Sequence, residues 1–338
     1  MIWFTWRQFR TPAWITVGAL AALGVVLVVT GRSIADAYDA ANVAACGSDC
    51  TTAIDNFLRE VRASTSGTVY DLANILMLVG PALIGIFWGA PLLAHELETG
   101  THRLAWNQSV TRTRWLATKL VIVGGAAALT AGVLSWAIGA WADQIDNAAG
   151  NRITPGLFSS RGIVPIGYAL FAFVLGVTLG MLIRRTVPAM AATLGIYSAV
   201  AISMTESFRA HLVPADHTIR SLDIASPGAL DTLMINDDTG QMTVLGSDNL
   251  PDAWVLSNQT ITDAGQVFSG PVNLQYCGPN AGFDECQEWV GSLGLRQELT
   301  YHPADHFWPI QWIETGILIG IALLLAGFCF WWIRRRVS

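Results

Sequence analysis

Residues 163–205 read IVPIGYALFAFVLGVTLGMLIRRTVPAMAATLGIYSAVAISMT. They contain two apolar runs, 163–183 and 187–205, and only the Arg-Arg-Thr of residues 184–186 lies between them. An α-helix needs about 20 mostly apolar residues to cross the hydrocarbon core of a bilayer. Both runs reach that length, so this stretch predicts two membrane-spanning helices joined by a tight hairpin.

Four further apolar stretches raise the number of predicted spans to six. They are residues 13–31, 72–94, 115–142 and 310–333. The composition agrees, because 52% of the residues are hydrophobic and only 13% are charged, whereas a soluble domain carries about 25% charged residues. We therefore predict an all-α polytopic membrane protein with six transmembrane helices.

The charges of the connecting segments predict which side of the membrane each segment faces. Bases are concentrated in every second segment, namely 1–12, 95–119, 184–186 and 334–338. Nearly all the acidic residues other than Glu96 and Glu98 lie in the segments between these. Those segments are 32–71, 143–162 and 206–309. Short loops rich in Arg and Lys stay in the cytoplasm. Both termini are therefore predicted to be cytoplasmic, in a multi-pass protein of the plasma membrane.

The positions of the cysteines fit this topology. Cys46 and Cys50 fall in the first predicted outside segment, and Cys277 and Cys286 fall in the last. Disulfides persist on the oxidising side of a membrane. We predict the bonds Cys46–Cys50 and Cys277–Cys286, because near neighbours pair without long-range folding; four free thiols are the alternative.

The outside segment 206–309 is predicted to form a small α+β cap between the fifth and sixth helices. Residues 241–246 (QMTVLG) and 253–262 (AWVLSNQTIT) have strand-like composition and lie between turn residues. Residues 284–299 are predicted to be helical. The chain then divides into a five-helix region, this cap, and the sixth helix with a basic tail, with bounds 1–205, 206–309 and 310–338.

Two cytoplasmic elements are predicted to be amphipathic helices. Residues 1–12 combine aromatic and basic side chains and are expected to lie in the membrane interface. Residues 95–114 connect the second and third spans. Gly100 permits a break there, Thr101 can cap the helix that follows it, and Ser109 or Thr111 can cap the next helix. A soluble partner that binds a helix held between two spans can move both spans.

The start of the third span carries three basic residues, which are expected to anchor it at the lipid headgroups. They are Arg112, Arg114 and Lys119.

The connector resembles a known signature. Glu96, Glu98, Gly100, Thr101 and Leu104 read E-x-E-x-G-T-x-x-L, similar to the coupling-helix signature of permease subunits of ABC-2, or type V, ABC exporters. The C-terminal stretch 301–336 is similar to permeases of actinobacterial exporters, which implies an actinobacterial plasma membrane.

This resemblance implies two permease copies, expected as a homodimer, and two separate ATPase subunits that bind ATP and Mg²⁺. The ATPases would dock on Glu96, Glu98, Gly100, Thr101, His102, Arg103 and Leu104. The implied substrate is hydrophobic or amphipathic, such as a drug, an antibiotic or a lipid-like molecule, and it would move outward.

The sequence contains no ATPase motif of its own. A P-loop requires G-x-x-x-x-G-K-[ST], because its lysine neutralises phosphate. The only lysine, Lys119, lies between Thr118 and Leu120. We therefore expect neither enzymatic activity nor a cofactor in this chain.

Individual polar residues allow competing interpretations. Glu96 and Glu98 are candidates for contact with the ATPase or for bracing the connector, and solvated helix ends are the alternative. Glu314 lies inside the sixth predicted span, where an ionisable group is a functional candidate; it could line the pathway, pair with Arg209 or Arg296, or reach the interface.

The remaining motifs favour structural over chemical roles. Small residues at four-residue spacing, Gly85/Gly89 and Gly176/Gly180, favour helix packing over substrate contact. His302, Asp305 and His306 have a metal-like spacing, yet we predict no metal site.

Two other function classes remain open. One is a membrane sensor or assembly subunit whose outside cap binds a ligand. The other is a membrane enzyme, for which the cluster at residues 302–306 is the best candidate site.

Overall fold

The computed structural model describes residues 2–47, 50–100, 111–222, 230–236, 241–247, 250, 252–278 and 282–335. The chain forms two compact units. The larger comprises Met1–Leu212 and Phe307–Ser338, and the smaller comprises Val213–His306. Six helical stretches of the described chain are long and apolar enough to span a membrane, which confirms the six predicted spans. They are Phe9–Ala40, Thr65–Glu98, Arg112–Ala149, Val164–Ile183, Thr186–His211 and Ala304–Arg335.

The helices of the larger unit follow one another along the chain. Their bounds are α1 Ile2–Ala40, α2 Thr51–Ala63, α3 Thr65–Ile84, α4 Ala90–Thr99, α5 Arg112–Ala149, α6 Pro155–Phe158, α7 Val164–Ile183 and α8 Thr186–Ser203. In the smaller unit follow α9 Leu274–Cys277 and α10 Phe283–Ser292, and the larger unit ends with α11 Phe307–Arg335. The second span has a π-helical turn at Gly85–Gly89, and α8 continues into another at Met204–Phe208 and a 3₁₀ turn at Arg209–His211.

The N-terminal residues do not form the separate helix that we expected over 1–12. Instead α1 is one continuous helix of 39 residues that passes through Pro12. A proline removes one backbone hydrogen bond, but membrane helices tolerate the loss because side chains, water or local adjustments of the helix satisfy the freed backbone group. The aromatic N-terminal residues thus belong to the helix that continues into the first span.

Helix α7 is the central helix of the bundle. Its apolar window is 72% buried, against 39% or less in every other span. Phe173 and Val177 of α7 pack in one core with Leu116 and Val123 of α5 and with Cys329 of α11. The burial of apolar residues on all sides of α7 explains why its sequence has no polar face.

The two glycine pairs pack against each other, which confirms the prediction of helix packing. A Cβ atom at Gly85 would lie 2.7 Å from the carbonyl oxygen of Ala172, and one at Gly176 would lie 2.8 Å from the backbone nitrogen of Ala90. The second span and α7 therefore touch backbone to backbone, which only glycine permits.

We expect Gly176→Val to destabilise the bundle by about 1–3 kcal/mol or more, because overpacking forces the backbones apart. Gly195→Val is the matched control, since Gly195 also lies within a span but has open space where a side chain would be. The midpoint of thermal unfolding in detergent measures the difference. Equal midpoints for the two variants would contradict the close contact.

The smaller unit contains a three-stranded antiparallel sheet in the order β1-β5-β4 and a separate hairpin of β2 and β3. The strands are β1 Asp216–Ser221, β2 Leu230–Asn236, β3 Gln241–Gly246, β4 Ala253–Ile261 and β5 Arg296–Pro303. Strands β3 and β4 lie where we predicted them. Met242, Val244, Val290 and Leu295 form the core between β3 and α10.

The helix predicted over 284–299 is wrong in its second half. Helix α10 ends at Ser292, and Gly294 then adopts a positive φ of 61°. The chain continues as β5, in which the buried Gln297 and Leu299 alternate with less buried neighbours. A left-handed glycine after a helix ends it, and the period-two burial that follows is that of a strand.

Both predicted disulfides are present. Cys46–Cys50 lies in the connection between α1 and α2, and Cys277–Cys286 joins α9 to α10. The fifth cysteine, Cys329, is free and buried in α11.

Candidate functional site

The connector between the second and third spans contains a left-handed glycine. Helix α4 ends at Thr99, and Gly100 has a positive φ of 71°, so the predicted break is present. At the other end Thr111 caps α5, and its Oγ1 accepts a hydrogen bond from the backbone nitrogen of Arg114 at 3.3 Å. We call residues 95–100 the elbow.

Four of the residues predicted to contact the ATPase lie outside the described residues. They are Thr101, His102, Arg103 and Leu104. The structure places Glu96, Glu98 and Gly100 of the same set together at the end of α4.

Glu98 fastens the elbow to the turn between α7 and α8. Its Oε2 accepts hydrogen bonds from the backbone nitrogen of Thr186 at 3.0 Å and from the Thr186 hydroxyl at 2.8 Å. Thr186 is the first residue of α8. A carboxylate at a helix N-terminus is stabilised by the helix dipole, so this exposed side chain is held in a defined position.

Glu96 is buried in an ion pair between the second and third spans. Its Oε1 lies 2.6 Å from Nζ of Lys119, and both side chains are almost inaccessible. Lys119 also donates to the carbonyl oxygen of Leu92 at 3.3 Å and lies over the ring of Trp115. Glu96 is thus not a solvated helix end; it braces the elbow against α5.

The burial of Lys119 corrects an expectation. From its place near the start of the third span, this residue was expected to anchor α5 at the lipid headgroups, yet it is only 1% exposed. The ammonium is stable there because the Glu96 carboxylate offsets its desolvation. The signal in the sequence was a lone lysine about one turn inside an apolar run.

An aromatic cavity of about 400 Å³ adjoins the elbow. It lies between α1 and the second span, and among its lining residues are Phe9, Phe87, Trp88, His95 and Glu96. The rings of Phe9 and Trp88 meet edge to face with centroids 4.9 Å apart. Clefts of this size with mainly apolar walls and few polar groups are typical ligand sites.

A second buried ion pair lies at the opposite end of the bundle and involves Glu314. The guanidinium of Arg209 donates to both carboxylate oxygens of Glu314 at 2.8 Å, and neither side chain is exposed. The hydroxyl of Tyr168 donates to the same carboxylate at 2.8 Å. Of the partners considered for Glu314, Arg209 is therefore correct, whereas Arg296 pairs with Asp263.

Arg209 also reaches the segment between α5 and α7. It donates to the carbonyl oxygen of Pro155 at 3.1 Å and to the Ser159 hydroxyl at 2.8 Å. Its guanidinium lies 4.6 Å from the ring centroid of Phe158. Together with Glu314 and Tyr168, these contacts join the ends of the fourth, fifth and sixth spans.

A third buried pair holds the same segment to the third span. Nε of Arg161 lies 2.6 Å from Oδ2 of Asp146, and the Tyr70 hydroxyl donates to the other oxygen at 2.7 Å. Asn74 accepts from Arg161 at 2.9 Å. No pattern in the sequence indicates this pair, because the charges of the 143–162 loop predict only the side of the membrane that the loop faces.

Gln311 of the sixth span binds the backbone of the segment between α5 and α7 and of the start of α7. Its side-chain oxygen accepts from the backbone nitrogens of Ile163 and Val164, each at 2.9 Å. Its side-chain nitrogen donates to the carbonyl oxygens of Phe158 and Arg161. A single amide thus satisfies four backbone groups, two of them at the start of α7.

The histidine cluster at residues 302–306 is partly assembled. Nδ1 of His302 lies 3.1 Å from Nδ1 of His306, and the ring of His302 is buried beside Trp254. Within the described parts of the chain, no three His, Cys, Asp or Glu side chains converge in a way that could hold a metal ion.

Comparisons with known proteins point to one family. The family model described as ABC-2 membrane transporter related matches residues 17–209, which is more than half of the chain. The match runs from the first span to the end of the fifth and includes the elbow. No curated protein and no solved structure matches the chain.

Proposed function

This chain belongs to the family of ABC-2 permeases, and we propose that it is the transmembrane subunit of an exporter driven by ATP. Two separate ATPase subunits would bind ATP and Mg²⁺ and dock on the elbow and on residues 101–104 that follow it. Two permease copies would form a homodimer. The substrate would be a hydrophobic or amphipathic molecule that leaves on the outside.

The observation that carries this proposal is the double attachment of the elbow. Glu98 binds the start of α8 through Thr186, and Glu96 binds α5 through Lys119. A force applied to the elbow would therefore act on the second, third and fifth spans together. A connector that transmits the motion of an ATPase needs this stiffness, whereas a passive loop does not.

The aromatic cavity beside the elbow supports the substrate class. Its walls include Phe9, Phe87 and Trp88, and its polar side chains are His95 and Glu96. Such a lining favours a largely apolar molecule with a small polar group. The cavity touches Glu96, so an occupant would contact one of the two attachments of the elbow.

The test is reconstitution with an ATPase that is encoded beside this protein and has no spans of its own. We expect the two to copurify and to move an amphipathic fluorescent probe across vesicle membranes only when ATP is supplied. Absence of both the complex and the ATP-dependent transport would refute the proposal. A ligand bound by the smaller unit without transport would favour the sensor function instead.

We expect Glu98→Ala to reduce ATP-dependent transport severalfold while the protein stays folded. The exposed carboxylate contributes little to stability, but its loss detaches the elbow from Thr186. Glu206→Ala, which removes an exposed acid at the other end of the fifth span, is the matched control. Transport and thermal unfolding are measured in parallel, and unchanged transport in Glu98→Ala would argue against coupling through this bond.

A further inference from the structure

A second cavity, of about 750 Å³, lies between α1 and α2 at the end of the bundle opposite the elbow. On α1 its lining residues follow the three- and four-residue spacing of one helix face, from Val29 through Arg32 and Asp36 to Ala40. On α2 they follow the same spacing and include Asn56 and Glu60, and Ser64 lines the groove directly after the end of α2. We call this cavity the α1–α2 groove.

The packing of α2 explains why the groove stays open. The apolar face of α2 buries Phe57 and Val61 against Ile34 of α1 and Ile145 of α5. The rings of Tyr38 and Phe57 meet edge to face at 5.3 Å. This contact turns the neighbouring polar face of α2 towards the polar stripe of α1, and the space between the two stripes remains unfilled.

Three charged side chains face the groove without satisfying one another. Arg32 and Asp36 stand four residues apart on α1, a spacing that often yields an ion pair, and Glu60 stands on α2. None of the three forms an ion pair or a hydrogen bond with any residue that the structure describes. All three side chains are exposed, so one cation and two anions are accessible to a ligand.

The position of the groove along α1 indicates how deep it lies in a membrane. The apolar run 13–31 ends directly before Arg32, and Val29 lines the apolar end of the groove. The charged residues thus stand at the boundary between hydrocarbon and headgroups. A ligand there would place a polar headgroup among charges and an apolar chain along α1.

We propose that the α1–α2 groove binds an amphiphile whose headgroup carries both a phosphate and a primary ammonium, as in phosphatidylethanolamine. Arg32 binds the phosphate, because a guanidinium forms paired hydrogen bonds with it. Asp36 and Glu60 accept hydrogen bonds from the ammonium. The quaternary ammonium of choline has no N–H group to donate, and a glycerol headgroup has no cation. This site is independent of the substrate that the protein exports.

The test measures lipid retention by the purified full-length protein with native mass spectrometry. The probes are phosphatidylethanolamine, phosphatidylcholine and phosphatidylglycerol with identical acyl chains. We expect the ethanolamine lipid to bind about tenfold more tightly than the other two, the difference that one to two charge-assisted hydrogen bonds provide. Arg32→Gln and the double variant Asp36→Asn/Glu60→Gln should each remove this preference.

Matched control variants lie on the same two helices outside the groove. Asp39→Asn on α1 and Arg62→Gln on α2 remove the same charges and should keep the preference for ethanolamine. Equal retention of the three lipids, or an equal loss in the control variants, would overturn the proposal. Soluble phosphoethanolamine is the last probe; if it binds as tightly as the lipid, the site serves a water-soluble zwitterion and the lipid proposal is wrong.

Discussion

Arg209→Ala is expected to lower the free energy of unfolding by about 3–5 kcal/mol, because it leaves a buried carboxylate without its cation. Glu314 and Arg209 are both fully buried, and the guanidinium donates to both carboxylate oxygens. After the substitution only the Tyr168 hydroxyl would still donate to Glu314 among the bonds described above. Unfolding in detergent, followed by tryptophan fluorescence, measures the loss.

The control for this prediction removes both charges together. Arg209→Met combined with Glu314→Leu replaces the pair by apolar side chains, and such replacements are often neutral. We expect the double variant to be more stable than Arg209→Ala. Arg296→Ala serves as a second control, because its pair with Asp263 is exposed and pairs of that kind contribute about 0–1 kcal/mol. If Arg209→Ala unfolds no earlier than either control, the buried pair does not hold the spans together.

Glu96→Ala is the second substitution with a large expected effect. It would leave the Lys119 ammonium buried between α4 and α5 without its carboxylate, at a cost of about 3–5 kcal/mol. Since the pair also braces the elbow, we expect the protein that remains folded to have lost ATP-dependent transport. Thermal unfolding and transport in vesicles are the two measurements.

Two variants separate the effect on stability from the effect on coupling. Glu96→Gln with Lys119→Met removes both charges and should recover much of the stability but not the transport, because the ionic brace is absent. Glu98→Ala should reduce transport severalfold and keep its stability, because that carboxylate is exposed. Full transport in the double variant would show that the brace is not needed for coupling.

Properties that depend on local composition were predictable from the sequence. Each of the six spans is a run of apolar residues whose length matches the bilayer, and each disulfide joins cysteines close together in the chain. The break at Gly100 and the cap at Thr111 also depend only on neighbouring residues. These features required no knowledge of which helices touch.

Secondary structure predicted from local sequence patterns was wrong in two places, where packing against other segments decided the outcome. The helix predicted over 284–299 stops at Ser292, because a left-handed glycine follows and β5 gains two partner strands. The expected helix over residues 1–12 merges with the first span. In both places the outcome depended on what the rest of the chain offered to pack against.

Partner choice was decided by the tertiary structure alone. From the sequence, Glu314 had two candidate arginine partners, and Lys119 was predicted to anchor its helix at the headgroups. Nothing in the sequence indicated that Arg161 pairs with Asp146. A buried charge takes the opposite charge that packing brings within hydrogen-bond distance, and that depends on which faces of distant helices meet. Local composition thus determined that the chain has six membrane-spanning helices. Packing determined which buried charges pair between the spans, because a buried charge that has lost its hydration needs a partner of opposite charge.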